Sequence, residues 1–256
     1  MLLRKNGELH ESRLPIIIFG SKKAVSYVLN PKAACTLALH FLFFANHNYR
    51  YFDVARIHSS SLALHRLGSP ELDPRGLKTF FSLSPETFSI VRDPLRRFIS
   101  SFREKVFTDG DPDYPSVRDA LTSVHDIDLS PEANPAQSCL AFARWLASSK
   151  DDLNWLDAHF RPQYLNLAID GGFKVSRILQ LEDQKSLFAF FAKWIGDERA
   201  KWFLSLRFNE QKYNVDDFIT DELKDLVQRI YAEDYKLFYP MAGPVGPAGA
   251  SALQSS

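Results

Sequence analysis

The stretch Val28-Leu29-Asn30-Pro31-Lys32-Ala33-Ala34-Cys35-Thr36 decides how this chain reads. Upstream, Ala24-Val25-Ser26-Tyr27-Val28-Leu29 has the β-branched and aromatic content of a strand. Asn30-Pro31-Lys32 breaks it. Ala34 to Ala45 then reads as a helix, apolar on nearly every face through Leu37, Leu39, Phe41, Leu42, Phe43 and Phe44, and such a helix belongs in the core. A strand, a tight loop with a lysine and a helix start are the layout of a phosphate cradle. The first N–H groups of a helix have no partner within it, and the helix dipole places positive charge beside them. Ala33, Ala34 and Cys35 are small enough to admit a phosphate, Pro31 shapes the turn, Lys32 supplies charge and Thr36 a hydroxyl. The glycines and the Gly-Lys-Ser/Thr ending of a Walker loop are absent. A plain strand–turn–helix with a surface lysine fits the same residues, so this stretch alone leaves two readings open.

A second junction of the same kind runs Ile90-Val91-Arg92-Asp93-Pro94-Leu95-Arg96-Arg97-Phe98-Ile99-Ser100-Ser101-Phe102-Arg103-Glu104-Lys105. Thr87 to Val91 is a strand. Asp93 suits a helix cap and Pro94 the first helical position. Leu95, Phe98, Ile99, Phe102 and Val106 then recur at helical spacing as one apolar stripe. Arg92 falls at the carboxyl end of the strand, where open α/β sheets bind ligands, and its guanidinium can fork onto a phosphate. Ser100 follows about two turns into the helix. Arg96, Arg97 and Arg103 fit a solvated basic face equally well.

Working outward, Tyr51 to Ile57 is a further strand candidate, and 59–85 mixes helix fragments and loops around Gly68, Pro70, Pro74 and Gly76. Helices are expected near 115–124 and 136–149. Val175 to Leu181 reads as a strand with a helix after it over Asp183 to Ile195. Thr220 caps a last amphipathic helix marked by Leu223, Leu226, Val227, Ile230 and Tyr231. Strands alternating with helices predict an α/β fold with a mostly parallel sheet covered on both faces. The expected division is an extension over 1–23, one folded domain over 24–240 and a disordered Gly/Pro/Ala/Ser tail over 241–256.

The chain has 256 residues, 45% hydrophobic, 13% aromatic and 24% charged, which excludes a collagen, a coiled coil or a wholly disordered protein. Lys+Arg and Asp+Glu both total 31, so the net charge is +0. No general nucleic-acid partner is expected from that balance, and an anion site must be a local cluster. Two cysteines, Cys35 and Cys139, cannot build a disulfide framework, and neither belongs to a set with metal-ligand spacing, so no metal is expected. The apolar run Leu14 to Phe19 is too short for a signal peptide, and nothing approaches the roughly 20 apolar residues of a membrane span. The chain therefore reads as soluble and cytoplasmic.

Taken together, the two junctions resemble the phosphate-binding motifs of the sulfotransferases that use 3′-phosphoadenosine 5′-phosphosulfate (PAPS), in particular the carbohydrate branch that includes the chondroitin 4-O- and HNK-1 enzymes. Pro31 to Thr36 matches that family's Pro-Lys-x-Ala-Cys-Thr. Val91, Arg92, Pro94, Arg97, Ser100, Arg103 and Lys105 match its Val-Arg-x-Pro-x-x-Arg-x-x-Ser with a later Arg and Lys. Ile57-His58, His159-Phe160-Arg161-Pro162-Gln163, Leu179 to Asp183 and the closing Ile230-Tyr231 with Asp234-Tyr235 follow in the family's order. Phe160 stands where the family favours Trp. The likeness spans about 25–240.

The resemblance implies a single P-loop-like domain that transfers a sulfuryl group from PAPS to a hydroxyl of a carbohydrate acceptor. It assigns donor contacts to Pro31, Lys32, Ala33, Ala34, Cys35, Thr36, Arg92 and Ser100, with Cys35 in a packing role. Sulfuryl transfer, like phosphoryl transfer, needs positioning and charge stabilisation more than covalent help. Lys32 would offset the charge growing on the leaving phosphate oxygen. A histidine suits the base that the acceptor hydroxyl needs: His58 first, as the residue closing the 51–57 strand, and His159 second. Glu182 could orient a histidine or cap the helix that follows. The alternatives are a nucleotide-dependent phosphotransferase on a similar scaffold, or a non-catalytic binding module of the same fold.

Overall fold

The computed structural model describes residues 16–19, 23–48, 57, 65–67, 86–107, 121–123, 125–130, 132–148, 153, 156–206 and 213–240. Among the described residues five strands form one sheet: β1 (Ile17–Phe19), β2 (Val25–Val28), β3 (His65–Leu67), β4 (Glu86–Val91) and β5 (Arg177–Gln180), in the order β3-β1-β2-β4-β5. β2, β4 and β5 are parallel neighbours, with Tyr27 opposite Phe88 and Ile90 opposite Leu179. β1 runs antiparallel to both β2 and β3, so β3 points the same way as the parallel trio. The sheet is thus mostly parallel in direction, with β1 as its reversed strand.

β1 moves the expected domain boundary. Ile17 and Ile18, placed in an extension on sequence, are 0% and 8% exposed and pair with Val28 and Tyr27. Burial of β-branched side chains beside β2 recruits a run that is too short to announce itself. The expected strand over 51–57 lies outside the described residues except for Ile57, which is buried and sits in a helical turn rather than a strand. The helix expected at 115–124 is described only at 121–123, where it is helical. Residues 241–256 lie outside the described residues.

Helix α1 (Cys35–His47) packs on one sheet face against Val25, Tyr27, Phe88 and Ile90, as its all-round apolar surface requires. Phe41 anchors it, stacked on Phe191 at 4.1 Å between ring centroids. Phe191 belongs to α5 (Gln184–Ile195), and α6 (Asp197–Ser205) completes that layer. On the opposite face, Val28 and Val91 meet Leu167 and Phe238. Helix α2 (Pro94–Phe102) follows β4, and its apolar stripe faces a separate cluster with α3 (Pro135–Ser148) and α7 (Asp221–Ile230). The short α4 (Gln163–Asn166) and the closing α8 (Ala232–Phe238) lie between these layers.

The cap residues read from sequence do what their chemistry predicts. The Asp93 side chain accepts the Arg96 N–H at 2.9 Å, and Thr220 accepts that of Leu223 at 3.1 Å. Asp183 caps α5 by accepting the Ser186 N–H at 3.0 Å. Glu182, one of the two roles of which was that cap, instead accepts the Asp93 N–H and the Tyr239 hydroxyl, both at 2.9 Å. After Phe102 the helix widens into a π turn over Arg103–Phe107.

Candidate functional site

The β2–α1 loop and Arg92 come together at the carboxyl ends of two adjacent parallel strands, β2 and β4. The loop carries two left-handed non-glycine residues, Lys32 at φ 64° and Ala34 at φ 60°. Each such residue costs about 1–2 kcal/mol, so its surroundings must hold it. The holding contacts are three consecutive carbonyls. Asn30 O accepts the Cys35 thiol at 2.9 Å, Pro31 O accepts Arg97 Nε at 2.9 Å, and Lys32 O accepts Arg92 Nη1 at 3.4 Å. With these carbonyls taken by protein donors and the Ala33 N–H spent on Asn30 O at 3.3 Å, the Lys32 side chain and the start of α1 are what the loop offers an anion. Ala34, the N-cap, gives that helix no side-chain cap.

For Arg97 the structure excludes the solvated basic face that was one of its two readings. It is 1% exposed, not on a solvated face. Nε, Nη1 and Nη2 donate to the carbonyls of Pro31, Arg161 and Ala158, each at 2.9 Å. The planar fork matches three divergent acceptors, which is why a charge is tolerated inside. Cys35 also stays in a packing role: burial pushes its thiol above the ordinary value, and Tyr27 donates to its sulfur at 3.4 Å. Burial outweighs the helix start that would otherwise favour a thiolate.

A polar frame sets the two junctions against each other. Gln163 Oε1 accepts from Asn30 Nδ2 at 2.9 Å and from the Arg92 N–H at 3.0 Å, while Gln163 Nε2 donates to Arg92 O at 2.8 Å. Asp234, 0% exposed, holds Gln163 in turn by accepting the N–H groups of Gln163 and Tyr164 at 2.8 and 2.9 Å. Tyr231 donates to Phe160 O at 2.7 Å, and the buried Phe160 ring packs on Phe142. The phenyl ring in place of Trp therefore serves the core.

The titratable groups gather at the mouth of this frame. The Lys32 ammonium donates to Glu104 on the π turn. Burial takes the Lys32 pKa below its ordinary value, and Glu104 returns only part of that. Burial acts on Glu104 in the opposite sense, but Lys32, Lys105 and His159 together hold its carboxyl below the ordinary range. The two shifts differ because Lys32 is 13% exposed and Glu104 57%. His159 lies beside Asp157, with Nδ1 2.6 Å from Asp157 Oδ1, and the same oxygen accepts the His159 N–H at 2.9 Å. Ser101 Oγ fastens the His159 carbonyl to α2 at 2.8 Å.

On the Arg92 side, burial lowers the guanidinium from its ordinary value and Glu182 partly offsets this. Ser100 is 6% exposed, and the nearby Tyr213 ring lies 4.8 Å from the Arg103 guanidinium carbon. Lys32, Arg92 and His159 are thus brought to one region, and Ser100 lies on the helix that follows Arg92. His58 lies outside the described residues. Sequence reading missed Glu104, Asp157 and Tyr213, which carry no local signal. It matched Gln163 and Arg97 by motif without seeing their roles. Among the described residues no group of three His, Cys, Asp or Glu could hold a metal ion, and no helix is long and apolar enough to cross a membrane.

The family model for the Sulfotransferase family matches residues 16–240, from the first residue before β1 to the end of the described chain. No curated protein and no solved structure matches the chain.

Proposed function

This chain belongs to the sulfotransferase family, and from that premise we propose that it moves a sulfuryl group from PAPS to a hydroxyl of a carbohydrate acceptor. The observation that carries the reading is the junction of Lys32 and Arg92: two cationic side chains from separate strand ends, joined through the Lys32 carbonyl at 3.4 Å. A nucleotide with phosphates at both its 5′ and 3′ positions asks for two such centres. Lys32 and the loop from Pro31 to Thr36 would take the 5′-phosphosulfate, and Arg92 with Ser100 the 3′-phosphate. PAPS supplies the sulfuryl group; the chain supplies charge, orientation and a base.

In the transfer, a bond forms from the acceptor oxygen to sulfur while the bond from sulfur to the 5′-phosphate oxygen breaks. The electron pair stays on the phosphate, where Lys32 opposes the growing charge. The acceptor proton goes to a histidine. Asp157 at 2.6 Å from Nδ1 favours His159, because the carboxylate fixes the tautomer and leaves Nε2 to accept the proton. His58 is the other candidate. A cytoplasmic setting belongs to the same proposal.

The phosphotransferase alternative requires a free carboxylate after a strand to organise a metal. Asp93 is in that position, but its side chain caps α2 and its N–H is spent on Glu182. The test is transfer of labelled sulfate from PAPS to a panel of glycans and lipids in the presence of a chelator. Labelled product on a sugar hydroxyl supports the proposal. No product on any acceptor, with a melting point raised by Mg-ATP and not by adenosine 3′,5′-bisphosphate, overturns it.

A further inference from the structure

Glu104 has no part in the transfer just described, yet its carboxylate occupies the ammonium on which that transfer depends. One oxygen accepts from Lys32 Nζ and the other stands 3.7 Å from Lys105 Nζ. Lys32 is 13% exposed and anchored by a loop in which the carbonyls of Asn30, Pro31 and Lys32 are engaged, whereas Glu104 is 57% exposed. Of the two partners, only the carboxylate has room to move. It also sits on the π turn Arg103–Phe107 that directly follows the helix after β4, and such turns are frequent at functional sites.

An anion arriving at Lys32 therefore meets a charge already paired. Carboxylate and phosphate cannot both keep short contacts with one ammonium without repelling each other. We infer that Glu104 is a positioning residue acting through Lys32: its carboxylate holds the ammonium at the loop mouth in the donor-free protein and is displaced by the donor's 5′-phosphate, so that donor binding is an exchange of counter-ions. The inference rests on the proposed donor site. Displacement does not strand Glu104, because the Lys105 ammonium remains 3.7 Å from its other oxygen. While the pair lasts, it also supports the charged form of Lys32 against the cost of burial.

The test is calorimetric titration of adenosine 3′,5′-bisphosphate into the parent protein and the Glu104→Gln variant across neutral and alkaline pH. At neutral pH the variant binds about fivefold more tightly, the scale of a partly exposed ion pair. Its affinity then declines at a lower pH than that of the parent, since Lys32 has lost its support. A role confined to folding would produce neither change. A folded variant that binds no more tightly than the parent overturns the inference while leaving the donor site in place. A parent that does not bind the nucleotide overturns both. If the Gln variant does not fold, Glu104→Ser is read by the same two measurements.

Discussion

Arg97 Nε donates to the Pro31 carbonyl at 2.9 Å, so the helix after β4 holds the loop after β2 by a fully buried guanidinium. The same side chain reaches Arg161 and Ala158, and thereby sets the segment that bears His159. Arg97→Ala leaves three carbonyls without their donor. At about 1–3 kcal/mol for each unsatisfied group, the loss is expected to exceed about 3 kcal/mol. Urea unfolding measures it, and a loss below about 1 kcal/mol would show that the three contacts are not holding the loop.

Removing Arg92 tests the donor site. Arg92→Ala is expected to weaken adenosine 3′,5′-bisphosphate by about tenfold or more, as one charge-assisted contact is worth about 1.5–3 kcal/mol. Ser100→Ala acts in the same direction with a smaller effect. Adenosine 5′-phosphosulfate lacks the 3′-phosphate, so both variants should discriminate against it less than the parent does. Competition binding with the two nucleotides decides this, and unchanged discrimination would remove both residues from the 3′-phosphate site.

The Asp157–His159 contact makes the base testable one residue at a time. His159→Ala should lower turnover by about 10²-fold or more while leaving nucleotide affinity nearly intact. Asp157→Asn keeps an acceptor for the His159 N–H but loses the negative charge beside Nδ1, so turnover should fall with the nucleotide Kd unchanged. His58→Ala is the comparator. Near-normal turnover in His159→Ala together with a large loss in His58→Ala would transfer the role to His58. Circular dichroism establishes that each variant is folded before rates are compared.

Donor binding should also depend on pH through Lys32. Burial holds its pKa below the ordinary value of 10.5, and the ammonium attracts the phosphate only while protonated. Affinity is therefore full well below that lowered pKa and declines as pH rises through it, earlier than for an exposed lysine. Lys32→Arg, whose guanidinium stays charged, should extend binding to higher pH. The titration curves of the two proteins decide the point: superimposable alkaline limbs would mean that another group controls binding.

Local chemistry made several parts of this protein legible without coordinates. Asp93 and Pro94 start α2, Thr220 starts α7, and the nearly all-round apolar surface of 34–45 buries α1, because capping and burial depend on residues within a turn or two. The two strand-to-helix junctions were legible for the same reason. What those junctions hold was not. Lys32 meets Glu104 across 72 residues, and Gln163 bridges to Arg92 across 71. No periodicity or propensity encodes such pairings, which follow from the stacking of layers. Ile17 and Ile18 became a sheet strand only because β2 offered an open edge beside a core that would cover them. Arg97 carries the same sequence signature as a solvated arginine. Tertiary packing alone decided that it lies inside, where three backbone carbonyls repay the desolvation of its charge.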